Sequence, residues 1–190
     1  MTKRIGKQTP TKSKILPFEE TSADEAIELY QKSKRTAYEW QKNLLDAILA
    51  VNDEGLWVHM KFGFSVPRQN GKNEVVAMRE LEGLVRGERI LHTAHRTTTS
   101  GTAFNRLLAI MEDCGYEEGE HYTKIKAIGR ESIVMADGGK IDFRTRTSTG
   151  GLGESFDLLV IDEAQEYTDD QESALKYTIA ASPNPQTILI

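Results

Sequence analysis

Apolar residues recur every three or four positions over residues 22–55. A helix buries one face at that spacing, so this part of the chain is predicted to form two helices. Ser22 with Glu25 has the spacing of a capping box, in which a hydroxyl and a carboxylate each satisfy a backbone N–H. Thr36 with Glu39 repeats the same spacing. We therefore expect one helix to begin near each of these pairs.

The next part of the chain changes from alternation to a helical period and back. Residues 56–65 alternate and are rich in aromatic and branched side chains, which predicts a strand. Proline and glycine break the pattern at 67–71, and a helical period follows at 75–85. A second strand is predicted at 89–94. This order of strand, loop, helix and strand predicts a parallel sheet with right-handed crossovers.

The second half of the chain continues the mixed pattern. Asp137, Gly138 and Gly139 separate two strand-like runs, at 132–136 and 140–145. Positive φ angles cost these turn residues little, so the runs are predicted to form a hairpin. The predicted fold is α/β, with a mostly parallel central sheet flanked by helices and an antiparallel hairpin excursion. The remaining elements are helices at 103–111 and 172–181 and strands at 156–161 and 187–190.

The composition fits one globular domain. The 190 residues are 38% hydrophobic and 28% charged, which is ordinary for such a domain. No apolar run approaches the ~20 residues that a membrane-spanning helix needs. The first residues also lack the apolar core of a secretory signal. We expect one domain over residues 22–190, no membrane association and a cytoplasmic location.

Residues 1–21 have no apolar periodicity and contain two prolines, so they are predicted to form a basic, flexible tail. The net charge of the chain is −5, whereas a protein that coats nucleic acid is normally basic. Any DNA contact must therefore be local. We expect a solvated, disordered tail, and contact of the tail with phosphates is the alternative. Its basic residues are Lys3, Arg4, Lys7, Lys12 and Lys14.

The segment VPRQNGKN, residues 66–73, lies between a predicted strand and a predicted helix. A phosphate-binding loop needs a glycine near the phosphates, a lysine that reaches them and a helix N-terminus. Gly71 and Lys72 meet these needs. Val66 and Asn73 replace the usual glycine and magnesium-binding Ser or Thr, although an amide oxygen can also hold Mg²⁺. An ordinary strand-to-helix turn is the alternative. The residues predicted to bind nucleotide here are Arg68, Gln69, Asn70, Gly71, Lys72 and Asn73.

A second candidate motif is LLVIDE, residues 158–163. It predicts a buried strand whose carboxyl end presents two adjacent carboxylates, Asp162 and Glu163. In a parallel sheet ligands bind at the carboxyl ends of strands, so the acids should face the same crevice as Lys72. One carboxylate can hold Mg²⁺ while the other orients the attacking water, and we assign these tasks to Asp162 and Glu163 respectively. A strand that merely exits into a polar turn is the alternative. The two motifs together predict Mg²⁺-dependent ATP hydrolysis.

These motifs resemble the ATPase domain of the large terminase subunit of tailed bacteriophages, of the HK97-like type. The resemblance rests on SVPRQNGKNE and LLVIDEAQE and extends over roughly residues 37–190. It implies a P-loop NTPase fold of the ASCE type and a motor that hydrolyses ATP to drive double-stranded DNA into a prohead. It also implies a homo-oligomeric ring, contacts with the portal protein and the small terminase subunit, and action in the cytoplasm of the bacterial host.

The resemblance also implies roles for single residues. Gln41, in the segment YEWQ, matches a glutamine that contacts adenine, and an exposed helix residue is the alternative. Arg68 resembles a loop arginine that contacts or senses the γ phosphate. The stretch HTAHRTTT, which follows Leu91, resembles the segment that links nucleotide state to DNA. Its two histidines, His92 and His95, are expected to be plain strand-end residues.

An arginine finger from the neighbouring subunit is expected as well, because a guanidinium stabilises the charge that develops during phosphoryl transfer. Relatives often carry this arginine in the glycine-rich segment ahead of the acidic pair, where this chain has Leu152. We therefore assign the finger to Arg146 or Arg144. The alternative is that both are solvated hairpin residues.

The resemblance implies a coupling motif and a nuclease domain that would follow the last residue of this chain. We therefore expect a truncated motor domain that binds nucleotide and hydrolyses it weakly or not at all. Two other functions stay open: a helicase-like ATPase of another DNA-processing system, and a scaffold that binds nucleotide or DNA without hydrolysis.

Overall fold

A computed structural model describes residues 6–146 and 153–190, which form a central sheet with helices on both faces. The strands are β1 (Glu20–Thr21), β2 (Ala50–Val51), β3 (Lys61–Gly63), β4 (Arg89–Ala94), β5 (Tyr122–Ile125), β6 (Arg130–Met135), β7 (Lys140–Thr145), β8 (Leu158–Ile161) and β9 (Gln186–Leu189). The helices are α1 (Ala23–Gln31), α2 (Glu39–Ile48), α3 (Lys72–Val85), α4 (Thr97–Asp113) and α5 (Asp169–Lys176), with a 3-10 helix at Ala164–Glu166.

Seven of these strands form the central sheet, in the order β3-β9-β8-β4-β7-β6-β5. The strands β3, β9, β8, β4 and β7 are mutually parallel. The next strand, β6, is antiparallel to both of its neighbours, β7 and β5. The predicted α/β fold with a mostly parallel sheet is therefore confirmed. Two strands, β9 and β8, lie between β3 and β4, so the crossover through α3 spans two neighbours instead of joining adjacent strands.

The predicted hairpin is confirmed as β6 and β7, which pair antiparallel. It is not an excursion from the sheet, however, because β7 also pairs in parallel with β4 along its whole length. The turn of the hairpin packs against the end of α3. A Cβ at Gly139 would lie 2.0 Å from the carbonyl oxygen of Leu84, so only glycine fits there. The strand β5, which extends the sheet beyond the hairpin, was not predicted.

The two faces of the sheet are covered by separate apolar cores. Successive strand residues point to opposite faces. In β8, Leu158 and Val160 pack into the larger core with α1, α2, α3 and α4, while Leu159 and Ile161 pack into the smaller core with Leu175 of α5. All four β8 residues are buried. Burial on both faces explains why this strand is a continuous apolar run without alternation.

The strand predicted at 56–65 is correct only over Lys61–Gly63. The residues before it make only isolated contacts with strands: Trp57 forms a single antiparallel bridge with Val51 of β2, and Val58 N donates to Ala50 O (2.9 Å). The backbone N–H of Trp57 also donates to the side chain of Asn184 (2.9 Å). His59 is buried, and its two ring nitrogens lie within hydrogen-bonding distance of Leu16 N and Ala47 O. Trp57 and His59 are buried, whereas Leu56 and Met60 are exposed. Alternating burial of this kind explains the alternating sequence pattern, although no continuous ladder of strand hydrogen bonds forms there.

The bounds of α4 and α5 differ from the predictions. The helix α4 begins at Thr97, six residues before the predicted start at 103, because threonine and serine at 97–100 give no apolar periodicity. The helix α5 begins at Asp169, where the hydroxyl of Thr168 accepts from the N–H of Gln171 (3.4 Å). It ends at Lys176, earlier than predicted.

Secondary structure begins two residues before the expected start of the domain, because Glu20 and Thr21 form β1 and pair with β2. Two further contacts connect the preceding residues to the domain: Leu16 N donates to the ring of His59, and Gln8 accepts from Trp40 N. None of the helices in the described residues is long and apolar enough to cross a bilayer.

A buried arginine joins α3 to the sheet. Arg79 is fully buried, and its guanidinium contacts Glu82 (3.1 Å) and, through two nitrogens, Glu88 (2.8 and 3.1 Å). Its Nε donates to Gln186 Oε1 at the start of β9 (3.0 Å). Burial raises the pKa of Glu82, and the positive charge of Arg79 opposes that rise. Arg79 therefore pairs with Glu88 and shares the buried carboxylate of Glu82 with Arg86.

We predict that Arg79→Ala lowers the free energy of unfolding by ~3–5 kcal/mol, because it removes a fully buried guanidinium and leaves the largely buried carboxylate of Glu88 without this partner. The matched control is Arg86→Ala, since Arg86 also pairs with Glu82 but its side chain is 45% exposed. That control should lose only ~1 kcal/mol or less. Urea denaturation of the two variants and the wild type provides the measurement, and equal losses would contradict the prediction.

Candidate nucleotide-binding site

The predicted phosphate loop connects β3 to α3 and contains two left-handed backbone positions. Gln69 has φ 63° and Gly71 has φ 84°. Backbone of this kind turns N–H groups towards a common point, where an anion can bind. The side chain of Asn70 donates to Pro67 O (3.1 Å), which closes the loop on itself. Arg68, Gln69 and Asn70 are exposed, and α3 begins immediately after Gly71.

Gln41, in α2, forms a hydrogen bond with the end of this loop. Its side chain is 2% exposed, which excludes the exposed helix residue considered from the sequence. The amide Nε2 donates to Gly71 O (3.0 Å), and Oε1 accepts from Tyr38 N at the start of α2 (2.8 Å). The N-cap of α2, predicted at Thr36, is therefore Tyr38, and the helix begins at Glu39. Both ends of the Gln41 amide are engaged within the chain, and its contact with adenine remains a prediction.

The acidic pair follows β8 directly. Asp162 is 2% exposed, and its N–H donates to Thr93 O of β4 (2.9 Å). Its carboxylate oxygen Oδ1 accepts from Glu163 N (2.8 Å). Glu163 has φ 56° and ψ 54°, a left-handed conformation that residues other than glycine adopt only rarely. The chain therefore turns sharply between the two carboxylates.

Lys72 and Asp162 lie together although 90 residues separate them. The ammonium of Lys72 is 3.3 Å from Asp162 Oδ1. The carboxyl ends of β3 and β8 lie at the same edge of the sheet, with β9 between them. The predicted convergence of the lysine and the acidic pair is confirmed. A cation and an anion in this position match the phosphate and metal requirements of a nucleotide.

Two oxygens near this contact are buried without a hydrogen-bond partner among the described residues: Asn73 Oδ1 and Glu163 Oε2. Buried polar atoms are normally satisfied, so such atoms mark a position for water, an ion or a ligand. Oxygen donors of this kind suit Mg²⁺, which usually binds one or two carboxylates together with water and phosphate. Within residues 6–146 and 153–190, no three His, Cys, Asp or Glu side chains form a cation site by themselves.

A buried histidine adjoins the site, and sequence reasoning did not find it. His92, in β4, is 2% exposed, and its Nδ1 lies 2.6 Å from Glu80 Oε1 of α3. Its Nε2 lies 4.0 Å from Asp162 Oδ2. His92 is thus an interior residue of the strand, not a strand-end residue. The available signal was a histidine directly after Ile90 and Leu91 in a predicted strand, since a buried histidine needs a polar partner.

The HTAHRTTT stretch runs from β4 into the first turn of α4. Thr99 Oγ1 lies 3.5 Å from Glu163 Oε1, at the limit of a hydrogen bond. His95 and Arg96 are exposed beside it. The geometry brings this stretch to the acidic pair. Its link to DNA remains a prediction.

The arginines considered as fingers occupy different surroundings. Arg146 is 6% exposed and donates to the carbonyl oxygens of Thr93 (3.2 Å), Asp162 and Glu163 (3.1 Å) of its own chain. Burial lowers the pKa of Arg146, and the charges of the two acids act in the opposite direction. Arg144 instead pairs with carboxylates. Leu152 and the rest of 147–152 lie outside the described residues.

Solved structures share the fold of this chain. The HK97 bacteriophage large terminase matches with a TM-score of 0.73 and 18% identity, over 90% of this chain and 38% of that one. The ATPase domain of the Thermus phage P74-26 large terminase matches with a TM-score of 0.63 and 16% identity, over 90% and 70%. The large terminase of a thermophilic bacteriophage in complex with ADP matches with a TM-score of 0.56 and 8% identity, over 91% and 38%.

These matches identify the fold of the chain. It is the fold of phage large-terminase ATPase domains, which the resemblance of the sequence motifs implied. No family model and no curated protein matches the sequence. The chain spans 38% of the length of the HK97 large terminase.

We predict that Gly71→Ala destabilises the protein more than Gly87→Ala. Both glycines have φ 84°, so both variants carry the same backbone strain of ~1–2 kcal/mol. At Gly71 the new Cβ would also lie 3.1 Å from Gln41 Nε2, whereas at Gly87 nothing lies within 4 Å. Urea denaturation measures the difference between the two variants.

The contact with Gln41 can be isolated by repeating both substitutions in a Gln41→Ala background. The extra loss at Gly71 should then disappear, because the crowded side chain has been removed. An extra loss that persists in that background would contradict the assigned contact.

Proposed function

We propose that this chain is the ATP-hydrolysing motor domain of a phage DNA-packaging terminase, which drives double-stranded DNA into a prohead. The observation that carries the proposal is the contact of Lys72 with Asp162, 3.3 Å apart at the carboxyl edge of a parallel sheet. The shared fold with large-terminase ATPase domains supports it, and one of those structures holds ADP.

The phosphates of ATP would lie against the loop before α3. Left-handed backbone at Gln69 and Gly71 directs N–H groups to one side, and the first turn of α3 adds positive potential. Lys72 would exchange its contact with Asp162 for the β and γ phosphates. Arg68 is exposed at the front of the loop, where a guanidinium can reach the γ phosphate. Asn70 shapes the loop through its bond to Pro67 O.

Asp162 and Asn73 would hold Mg²⁺, because one offers a buried carboxylate and the other a buried amide oxygen without a partner among the described residues. Bound there, Mg²⁺ would neutralise charge on the phosphate oxygens. Glu163 would orient and polarise the attacking water. Its Oε2 is buried without a partner in the described parts of the chain, while Oε1 lies near Thr99.

The remaining parts of the proposal follow from the shared fold. Large terminases with this fold come from bacteriophages, so we propose that the chain acts in the bacterial cytoplasm. We further propose that residues 22–190 form the motor domain within a homo-oligomeric ring that contacts the portal protein and the small terminase subunit. Gln41 would contact adenine from the side of the loop, where exposed Tyr38 is its neighbour.

Lys72→Ala should abolish or strongly weaken Mg²⁺-dependent binding of a fluorescent ATP analogue. A charge-assisted hydrogen bond contributes ~1.5–3 kcal/mol, so we expect a loss of affinity of roughly 10- to 100-fold. Lys61→Ala is the control, because Lys61 lies in β3 just before the loop but is 60% exposed and pairs with Glu172. Equal affinities of Lys72→Ala and the wild type would favour a scaffold without a nucleotide site.

Glu163→Gln in the full-length protein should keep nucleotide affinity and lose hydrolysis by ~10²- to 10⁴-fold, because the amide cannot polarise water as a carboxylate does. Single-turnover hydrolysis and analogue titration measure the two properties separately. Glu166→Gln, an exposed carboxylate three residues later, is the matched control. If Glu163→Gln hydrolysed ATP at the wild-type rate, the assignment of Glu163 would be wrong.

A further inference from the structure

Arg146 lies directly after β7 and continues the pairing of β7 with β4, because the N–H of Arg146 donates to Ala94 O (3.0 Å). This pairing directs the side chain along the carboxyl edge of the sheet. The guanidinium donates to three backbone carbonyls: Thr93 O of β4, Asp162 O and Glu163 O. Tyr167 covers it from one side, with the guanidinium carbon 5.7 Å from the ring centroid.

Two of these acceptors, the carbonyl oxygens of Asp162 and Glu163, lie on either side of the Glu163 Cα and so control its backbone conformation. They belong to consecutive residues, and the second is the left-handed Glu163. A strained conformation of this kind persists only where the surroundings hold it. Arg146 contacts the peptide groups on both sides of the Glu163 Cα, and the following N–H, of Ala164, donates to Ile190 O (2.8 Å). Together these contacts fix the direction in which the Glu163 side chain leaves the backbone.

We propose that Arg146 is a positioning residue that acts within its own chain: it holds the backbone of Asp162 and Glu163 so that the Glu163 carboxylate faces the nucleotide. This inference rests on the proposed ATPase function. It also replaces the expectation that Arg146 is the finger supplied to a neighbouring subunit.

The burial of Arg146 argues against action on a neighbour. Its side chain would have to leave a site where it is 94% buried and would leave three carbonyl oxygens without this donor. Arginine suits the inward task, because its planar fork can donate to several acceptors in fixed directions. Arg144, two residues earlier, contrasts with it, since that guanidinium contacts the carboxylates of Asp142 and Glu154.

The first experiment compares Arg146→Met and Arg146→Lys with the wild type in the full-length protein. A displaced Glu163 should lower kcat by about 100-fold in Arg146→Met, because small misplacements of catalytic groups have effects of that size. The dissociation constant of the fluorescent ATP analogue should change much less than kcat does, since the phosphate loop and Lys72 are untouched. Arg146→Lys keeps one buried donor group, so its kcat should lie between that of Arg146→Met and that of the wild type.

Arg130→Ala is the control, because Arg130 lies opposite Arg144 on β6 but is exposed. Thermal unfolding of each variant shows whether it is folded at the assay temperature. If Arg146→Met unfolds, the folded Arg146→Lys carries the test. Wild-type kcat in a folded Arg146→Met or Arg146→Lys protein would overturn the proposal, and so would a loss of affinity as large as the loss of rate.

The second experiment mixes Arg146→Met subunits with Glu163→Gln subunits in equal amounts. If Arg146 acted on a neighbour, about a quarter of the subunit contacts would combine an intact glutamate with an intact arginine, and activity would recover to about that fraction. If Arg146 acts in its own chain, every active site carries one of the two changes, so activity should stay at the sum of the separate variants. Recovery well above that sum would overturn the proposal.

The failure of this inference can be distinguished from the failure of the proposed function. If the chain is not an ATPase motor, the wild type itself shows neither hydrolysis nor Lys72-dependent nucleotide binding. If only the role of Arg146 is wrong, the wild type and the Glu163→Gln variant behave as predicted while the Arg146 variants or the mixture do not.

Discussion

The ion pair of Lys72 with Asp162 connects the two halves of the proposed nucleotide site, and the architecture of the sheet makes this contact possible. The lysine begins α3 and the aspartate follows β8, so the contact needs the carboxyl ends of β3 and β8 at one edge. Reversal of either strand would move one partner to the opposite edge. The pair also places a cation beside a carboxylate, which the proposed binding of phosphate and metal requires.

The helix α3 is joined to the sheet by polar contacts at three points along its length. Lys72 contacts Asp162, Glu80 contacts His92, and Arg79 contacts Gln186. Polar contacts in a low-dielectric interior are specific in geometry, and they are costly when a partner is missing. The orientation of α3 on the sheet, and therefore the position of the phosphate loop, depends on charged groups as well as on apolar packing.

Two residues of the site, Gly71 and Glu163, have left-handed backbone, and each accepts a hydrogen bond from a side chain that is distant in sequence. Gly71 is held by Gln41, which lies 30 residues earlier and donates to its carbonyl. Glu163 is held by Arg146, which donates to its carbonyl from 17 residues away. In each case the side chain donates to a main-chain carbonyl of its own chain. Gln41 and Arg146 thus shape the site through the backbone of the loop and of the acidic pair.

The sequence alone determined the features that short-range chemistry controls: the loop around Gly71 and Lys72, the acidic strand end, β4 and the Asp-Gly-Gly hairpin. Glycine, proline and apolar period act over a few residues, so they can be identified locally. Only the tertiary structure decided that β9 lies between β3 and β8, that α4 starts in a threonine run, and that Gln41, His92 and Arg146 are buried beside the site. Those facts depend on which distant groups satisfy one another's hydrogen bonds once strand order and register are fixed, and no local pattern carries that information.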